Sequence, residues 1–362
     1  MNFPLEMTAI WERVDKINPI KYSSSRNYKN GAVSYLSTYI SRGIISTKQI
    51  IERLKEKGFK SYEYAKFEQE LAWREFWQRV WQEKGDLIYG DLKHQQTPIK
   101  HHNSPAFLNN ETSRIEVIDE EIAQLKSSGY MHNHMRMYLA SIVCNVGQYH
   151  WKSSADWMYY HLLDGDVASN YLSWQWVAGA NSNKKYIANQ ENINNFFESN
   201  QKGTFLDTNY DSLQELVDGD GIEFQSENIE LKTELPESDK FEIKTDSIKL
   251  YNYYNLDPSW RKKDNATPIL LLEPSKFKKH PISKKNIDFI LDFNTENLQA
   301  KIFVGEFEDL IKKHQPKQVY YKEHPLYKNY HGTEDSRDWM FDNPGKYSSF
   351  FSFWKKVKKI KK

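Results

Sequence analysis

At 362 residues and 43.0 kDa, the chain exceeds one average domain, so one large domain with a smaller companion is expected. A hydrophobic fraction of 39%, with 11 Trp, 23 Tyr and 19 Phe, excludes disorder throughout. Lys+Arg of 50 against Asp+Glu of 49 gives a net charge of +1, which excludes capture of nucleic acid by bulk charge but leaves room for a local basic groove. The single cysteine, Cys144, excludes an internal disulfide, an iron–sulfur cluster and a thiolate zinc site. It reads as a small buried hydrophobe, and no metal site is expected.

The N-terminal stretch has Glu6 early and no long apolar run ending in small residues, so it carries no signal-peptide pattern. Nowhere is there an apolar run long enough to cross a bilayer, and a cytoplasmic protein without membrane contact is expected. Over 36–186 apolar residues recur three and four apart with few prolines, which predicts a mainly helical region. The clearest helix is predicted over 67–83. There Phe67, Leu71 and Val80 suit packing, while Glu70, Trp73, Arg74 and Trp77 share a second face. A face that mixes charge with indole is either core or ligand-facing, and the residues alone leave both readings open.

Residues 98–112 read as a polar surface loop, followed by a helix over 118–126. After Gly129 a long amphipathic helix is predicted through residue 151, with His132 beside Arg136, and Asn133 beside Arg136 and Met137. Arg136 is either a ligand contact or a structural charge with a partner elsewhere. Twelve acids against Lys232 and Lys240 mark 206–242, read as a weakly structured, solvated extension. Beyond residue 265 the period changes: PILLLEPS, KIFVG and QVYY read as strands separated by helices over 284–293 and 308–314, a βαβαβ pattern without a G-x-G-x-x-G turn. The last eight residues hold six lysines, a frayed, solvated end or a contact for phosphate or an anionic surface. The expected organisation is a helical domain over 1–205, an acidic linker over 206–265, and a small α/β domain with a basic tail over 266–362.

The chemistry concentrates in LLDGDVASNYLSWQW, which places Asp164, Asp166, Asn170, Trp174 and Trp176 within thirteen residues, downstream of Trp151 and Trp157. Carboxylates there suit ribose or amide groups or a partner in Arg136, and the neutral Asn170 amide suits a ring nitrogen. With several oxidisable indoles, the pattern points to a planar, phosphate-bearing cofactor and electron transfer.

The blocks ELAWREFW, GYMHNHMRMYLAS and DGDVASNYLSWQW, in this order, resemble the FAD-binding domain of the DNA photolyase and cryptochrome family over about 22–186. The resemblance implies an all-helical FAD-binding domain ahead of the small α/β (βαβαβ) unit, a mainly α protein in all. It implies FAD contacts at Tyr22, Ser34, Leu36 and Ser37 for phosphates and ribityl chain, with Arg74 and Asn133 also reaching the cofactor. Arg136 would lie by the isoalloxazine and pair with Asp164, Asp166 would bind near ring or sugar, and Asn170 would face flavin N5.

The same resemblance places Glu70, Trp73, Met137 and Trp176 against a cyclobutane pyrimidine dimer in damaged DNA. Trp174 and Trp151 would feed electrons to the oxidised flavin. No third tryptophan is evident, and Trp77, Trp81 or a tyrosine would have to serve. His134 stands where dimer-repairing members commonly carry Arg, replacing a permanent phosphate-binding charge with a group that titrates near neutrality. The implied activity is light-driven dimer splitting, that of a deoxyribodipyrimidine photo-lyase. The alternative is a cryptochrome-like blue-light photoreceptor acting through a protein partner. The family's N-terminal antenna domain is expected to be absent, and the C-terminal α/β unit, faintly similar to part of it, is expected to have a structural role.

Overall fold

The computed structural model describes residues 3–342 and 345–360. The chain divides into two compact units. The first comprises Lys21–Val33 and Lys84–Leu231; the second comprises residues up to Ile20, Ser34–Glu83, and the described residues from Lys232 onward.

The longest helix, α1 (Ala65–Lys84), lies almost wholly in the second unit. Phe67, Leu71, Ala72, Phe76, Trp77 and Trp81 are its buried apolar residues, the three- and four-residue recurrence that sequence periodicity demands of a packed helix. Trp77, assigned to the second face, is thus core, while Val80 is only half-buried. Glu75 is buried on this helix and accepts from Arg79 Nε at 3.0 Å and from the Met340 backbone N–H at 2.7 Å. Burial pushes its carboxyl above the usual range.

The first unit is helical. It contains α2 (Glu116–Ser128), α3 (Asn133–Ser141), α4 (Trp151–His161) and α5 (Val167–Val177). Gly129 closes α2 at φ 73°, and a Cβ there would stand 2.6 Å from Leu163 Cγ, so this position requires glycine on both counts. The single helix expected across 131–151 is broken. After α3 a π turn (Ile142–Val146) widens the spiral, Gln148 adopts φ 55°, and His150 restarts the chain by capping α4 through its ring nitrogen.

Two other segments are more ordered than their composition suggests. Ser104–Pro105, inside the expected surface loop, pairs antiparallel with Ser226–Glu227, and Ala106, Phe107 and Leu108 are buried. The acidic stretch forms a helix, Tyr210–Asp218, anchored by fully buried Leu213 and Val217.

The second unit also holds a parallel sheet of five strands: β1 (Ser247–Tyr251), β2 (Thr267–Leu272), β3 (Lys301–Val304), β4 (Gln318–Lys322) and β5 (Thr333–Asp335). Their spatial order is β3-β2-β1-β4-β5. The three-stranded βαβαβ unit is therefore corrected. Its three strands are present as β2, β3 and β4, but β1, from within the expected linker, separates β2 from β4, and β5 adds an edge. Ile248, Leu250, Ile269, Leu271, Phe303 and Val319 build the core beneath. A last helix, α6 (Phe350–Ile360), belongs to this unit.

Candidate functional site

In the first unit, α3, α4 and α5 each begin on a residue whose side chain accepts a backbone N–H. His132 Nδ1 takes that of His134 at 3.2 Å, His150 Nδ1 that of Lys152 at 3.3 Å, and Asp166 Oδ1 that of Ser169 at 2.7 Å. These caps fix the helix starts from which the candidate residues project. Arg136 on α3 donates through Nη2 to both carboxylate oxygens of Asp164 at 3.0 Å, and through Nε to the Met131 carbonyl at 2.9 Å. Asp164 is 8% exposed. The open alternative for Arg136 resolves as a paired cation held in a fixed orientation.

Asn170, buried on α5, donates from Nδ2 to the Ala155 carbonyl at 2.7 Å. That bond fixes the amide plane, and Oδ1 has no hydrogen-bond partner among the described residues. Asn133 is exposed and Met137 half-buried on α3; Tyr22 is half-buried on the short helix Pro19–Ser25. Trp174 is buried on α5, whereas Trp176 at its end is 36% exposed.

His134 is not displayed as a charged contact. Its Nδ1 lies 3.1 Å from the Asn27 carbonyl and its Nε2 3.4 Å from the Tyr186 hydroxyl, and the rings of Tyr138 and Phe196 stand at 4.4 and 4.6 Å. Burial pushes its pKa below 6.5, so the ring is neutral at pH 7 and supplies no phosphate-binding charge.

In the second unit, Leu36 is fully buried, so only its backbone is available to a ligand; Ser34 and Ser37 are half-buried. Glu70 on α1 pairs with Lys66 at 2.8 Å, and Arg74 is half-buried. Trp73 stacks on Phe350 of α6, rings 3.6 Å apart at 12°. One face of the indole expected to meet a lesion is therefore covered by the chain itself.

Residues 67–243 match the family model of the FAD binding domain of DNA photolyase. This part of the chain is similar to the FAD-binding domain of DNA photolyases. The Streptomyces griseus deoxyribodipyrimidine photo-lyase is 32% identical over 156 residues, 42% of this chain and 34% of that protein. A Neurospora crassa protein named as a cryptochrome DASH is 25% identical over 310 residues, 73% of this chain and 40% of that one. Among solved structures, a Synechocystis cryptochrome aligns over 54% of this chain and 44% of that chain at 22% identity and a TM-score of 0.45. The chain thus spans about a third to two fifths of the length of these curated relatives.

The residues of the first unit fit FAD on their own geometry. An oriented guanidinium is suited to an anionic cofactor, and a fixed amide oxygen to a ring N–H. Ser169 Oγ, buried on the first turn of α5 without a partner among the described residues, is a further polar group there. Sequence reading passes over it because a serine beside an N-cap is ordinarily local capping chemistry.

Sequence reading also passes over the surroundings of Trp151. Its Nε1 donates to Asp91 Oδ1 at 2.7 Å, a carboxylate that stabilises positive charge on the indole. The Tyr171 ring stands 5.4 Å from Trp151, and half-buried Tyr89 lies 6.0 Å beyond it. The Tyr171 hydroxyl donates to Asp156, and burial, with that carboxylate adjoining, pushes the phenol well above its ordinary pKa. Cys144 is buried and its thiol is pushed up by desolvation, in keeping with a structural hydrophobe.

Proposed function

We propose that this chain repairs DNA by light-driven splitting of a cyclobutane pyrimidine dimer. When bound in its reduced form, FAD supplies the excited electron and takes it back after the ring opens, with no net redox change. The observation that carries the reading is α5, which presents a fixed acceptor at Asn170, a buried indole at Trp174 and an exposed one at Trp176 along a single helix.

Each residue has an assigned task. Arg136, oriented by Asp164, holds positive charge beside the cofactor and favours its anionic form. Asn170 Oδ1 accepts a ring N–H, and Tyr22, Asn133 and Asp166 contact the remainder. Ser34, Leu36, Ser37 and Arg74 of the second unit are assigned to FAD on the sequence resemblance. Trp176 offers a stacking face to an extruded pyrimidine, worth about 1–3 kcal/mol per base, which offsets part of the few kcal/mol of unstacking. Met137 lines the same contact. Glu70, once released from Lys66, serves as acceptor or proton donor to the dimer. Trp73 stacks on a base only when Phe350 leaves its face. Trp174 and Trp151 restore the reduced cofactor, and Tyr171, its ring 5.4 Å from Trp151, refills Trp151.

The similarity to a protein named as a cryptochrome DASH over 73% of the chain favours a second reading, a blue-light photoreceptor. One experiment separates the two. The reduced protein is illuminated with dimer-containing oligonucleotide, and restored pyrimidines are measured. Light-dependent repair supports the first reading; a light-dependent change in protein association without repair replaces it with the second.

A further inference from the structure

Helix α6 lies outside the family-matched residues 67–243, and its sequence separates two faces. Phe350, Phe353 and Val357 are buried at 2%, 1% and 1% exposure. They pack toward α1, with the Phe353 ring 5.5 Å from Phe76 and Phe350 flat on Trp73. On the outer side Phe351, Lys355, Lys358 and Lys359 recur at i, i+4, i+7 and i+8, which aligns them in one stripe. All four are exposed, Phe351 by 68%.

None of these three lysines makes a hydrogen bond or ion pair with a described residue; the Lys358 ammonium rests 5.1 Å from the Trp354 ring. From residue 345 to the end the sequence holds seven lysines and no acid, so the +1 of the whole chain conceals a net −6 elsewhere. Charge is strongly polarised toward this helix.

We infer that this stripe binds the backbone of single-stranded nucleic acid, with Phe351 as a platform for one base. At 1.5 Å per residue, Phe351 to Lys359 spans about 12 Å, room for roughly two to four phosphates. A track of lysines with an aromatic ring at its start is the physical pattern of sequence-tolerant strand binding: charge follows the backbone and the ring takes any base. An anionic membrane attracts lysines too, but a basic helix lying in a membrane buries its apolar face among the lipids, and here that face is packed against α1. The inference is independent of dimer repair, because it concerns an undamaged strand in the dark.

The test uses the full-length protein and fluorescence anisotropy of a labelled oligothymidylate across a salt series, without illumination. Replacing Lys355, Lys358 and Lys359 together by Gln should reduce the steepness of log affinity against log salt by about 2, near 0.7 for each phosphate that is no longer neutralised. At low salt it should weaken binding about tenfold or more. The triple Arg replacement should retain both affinity and slope. Phe351→Ala should weaken binding about fivefold or more with the slope unchanged, and unaltered circular dichroism verifies that α6 persists. Wild-type affinity and slope in the Gln triple variant overturn the inference. So does tight binding of the wild type to phosphatidylserine vesicles without binding to the oligonucleotide.

Discussion

Asp164→Asn preserves side-chain size and removes the charge that holds Arg136. In the wild type the guanidinium Nη2 lies 3.0 Å from both carboxylate oxygens, with Asp164 side-chain exposure of 7% and Arg136 of 21%. Two unit charges about 4 Å apart at an effective dielectric near 20 attract by about 4 kcal/mol, and removing one member of a buried pair costs about 3–5 kcal/mol. Water reaches the more open Arg136 and recovers part of this, so a loss of about 2–3 kcal/mol is expected. For a cooperative unit of this size that corresponds to a fall in Tm of about 4–12 °C. The same change leaves the guanidinium held by Nε to Met131 and by at most one neutral amide oxygen in place of the carboxylate, so its orientation loosens and FAD content should fall as well. Thermal unfolding by circular dichroism and the ratio of released FAD to protein measure the two effects. Arg136→Lys, which keeps the charge but not the forked geometry, should lie between wild type and Asp164→Asn. If Asp164→Asn melts within about 1 °C of wild type and retains FAD fully, the pair neither stabilises the fold nor orients the cofactor.

Trp176→Ala should weaken binding of dimer-containing oligonucleotide by about 1–3 kcal/mol with FAD retained. Trp73→Ala should cost less, because a base reaching its covered face first displaces a ring stack worth about 0.5–1.5 kcal/mol; equal losses in a binding titration would contradict this. Trp174→Phe and Trp151→Phe should each slow photoreduction while leaving repair by prereduced protein intact, and Tyr171→Phe should lower the photoreduction yield in transient spectroscopy. Unchanged photoreduction in all three misassigns the route. His132, buried as the cap of α3, has its pKa pushed down from 6.5 to about 4, chiefly by desolvation. The unfolded chain therefore takes up the proton first, so the stability held above pH 6.5 declines as pH falls and is gone below about 4, up to about 3 kcal/mol. His132→Asn, a cap that does not titrate, should flatten that decline in denaturant melts between pH 7 and 4; identical slopes would exclude His132 as its source.

The helices carrying the candidate cofactor residues are legible because their apolar spacing is a local feature, and Gly129 marks the boundary ahead of α3; the caps at His132 and Asp166 emerge only in the structure. The break at Ile142–Val146 is not legible, since IVCNV satisfies helical periodicity and only the π turn and Gln148 redirect it. β1 is hidden for the opposite reason. Its SIKLY is short and lies beside acid-rich sequence, and its buried Ile248 and Leu250 acquire meaning only between β2 and β4. Local reasoning finds Arg136, Asp164 and Asn170 as chemistry-bearing residues. It does not find the Phe350 ring on Trp73 or Asp91 on Trp151, because each contact joins segments far apart in sequence. His134 likewise reads as titratable until the rings and the Asn27 carbonyl around it are in view.

The helices of the first unit are proposed to hold FAD. Purified protein, supplied with FAD and then freed of excess by gel filtration, should show bound-flavin absorption and release about one FAD per chain on denaturation. Blue light with an external reductant should bleach that absorption. Protein that emerges folded but without flavin, from an incubation with excess FAD, would exclude FAD as its cofactor.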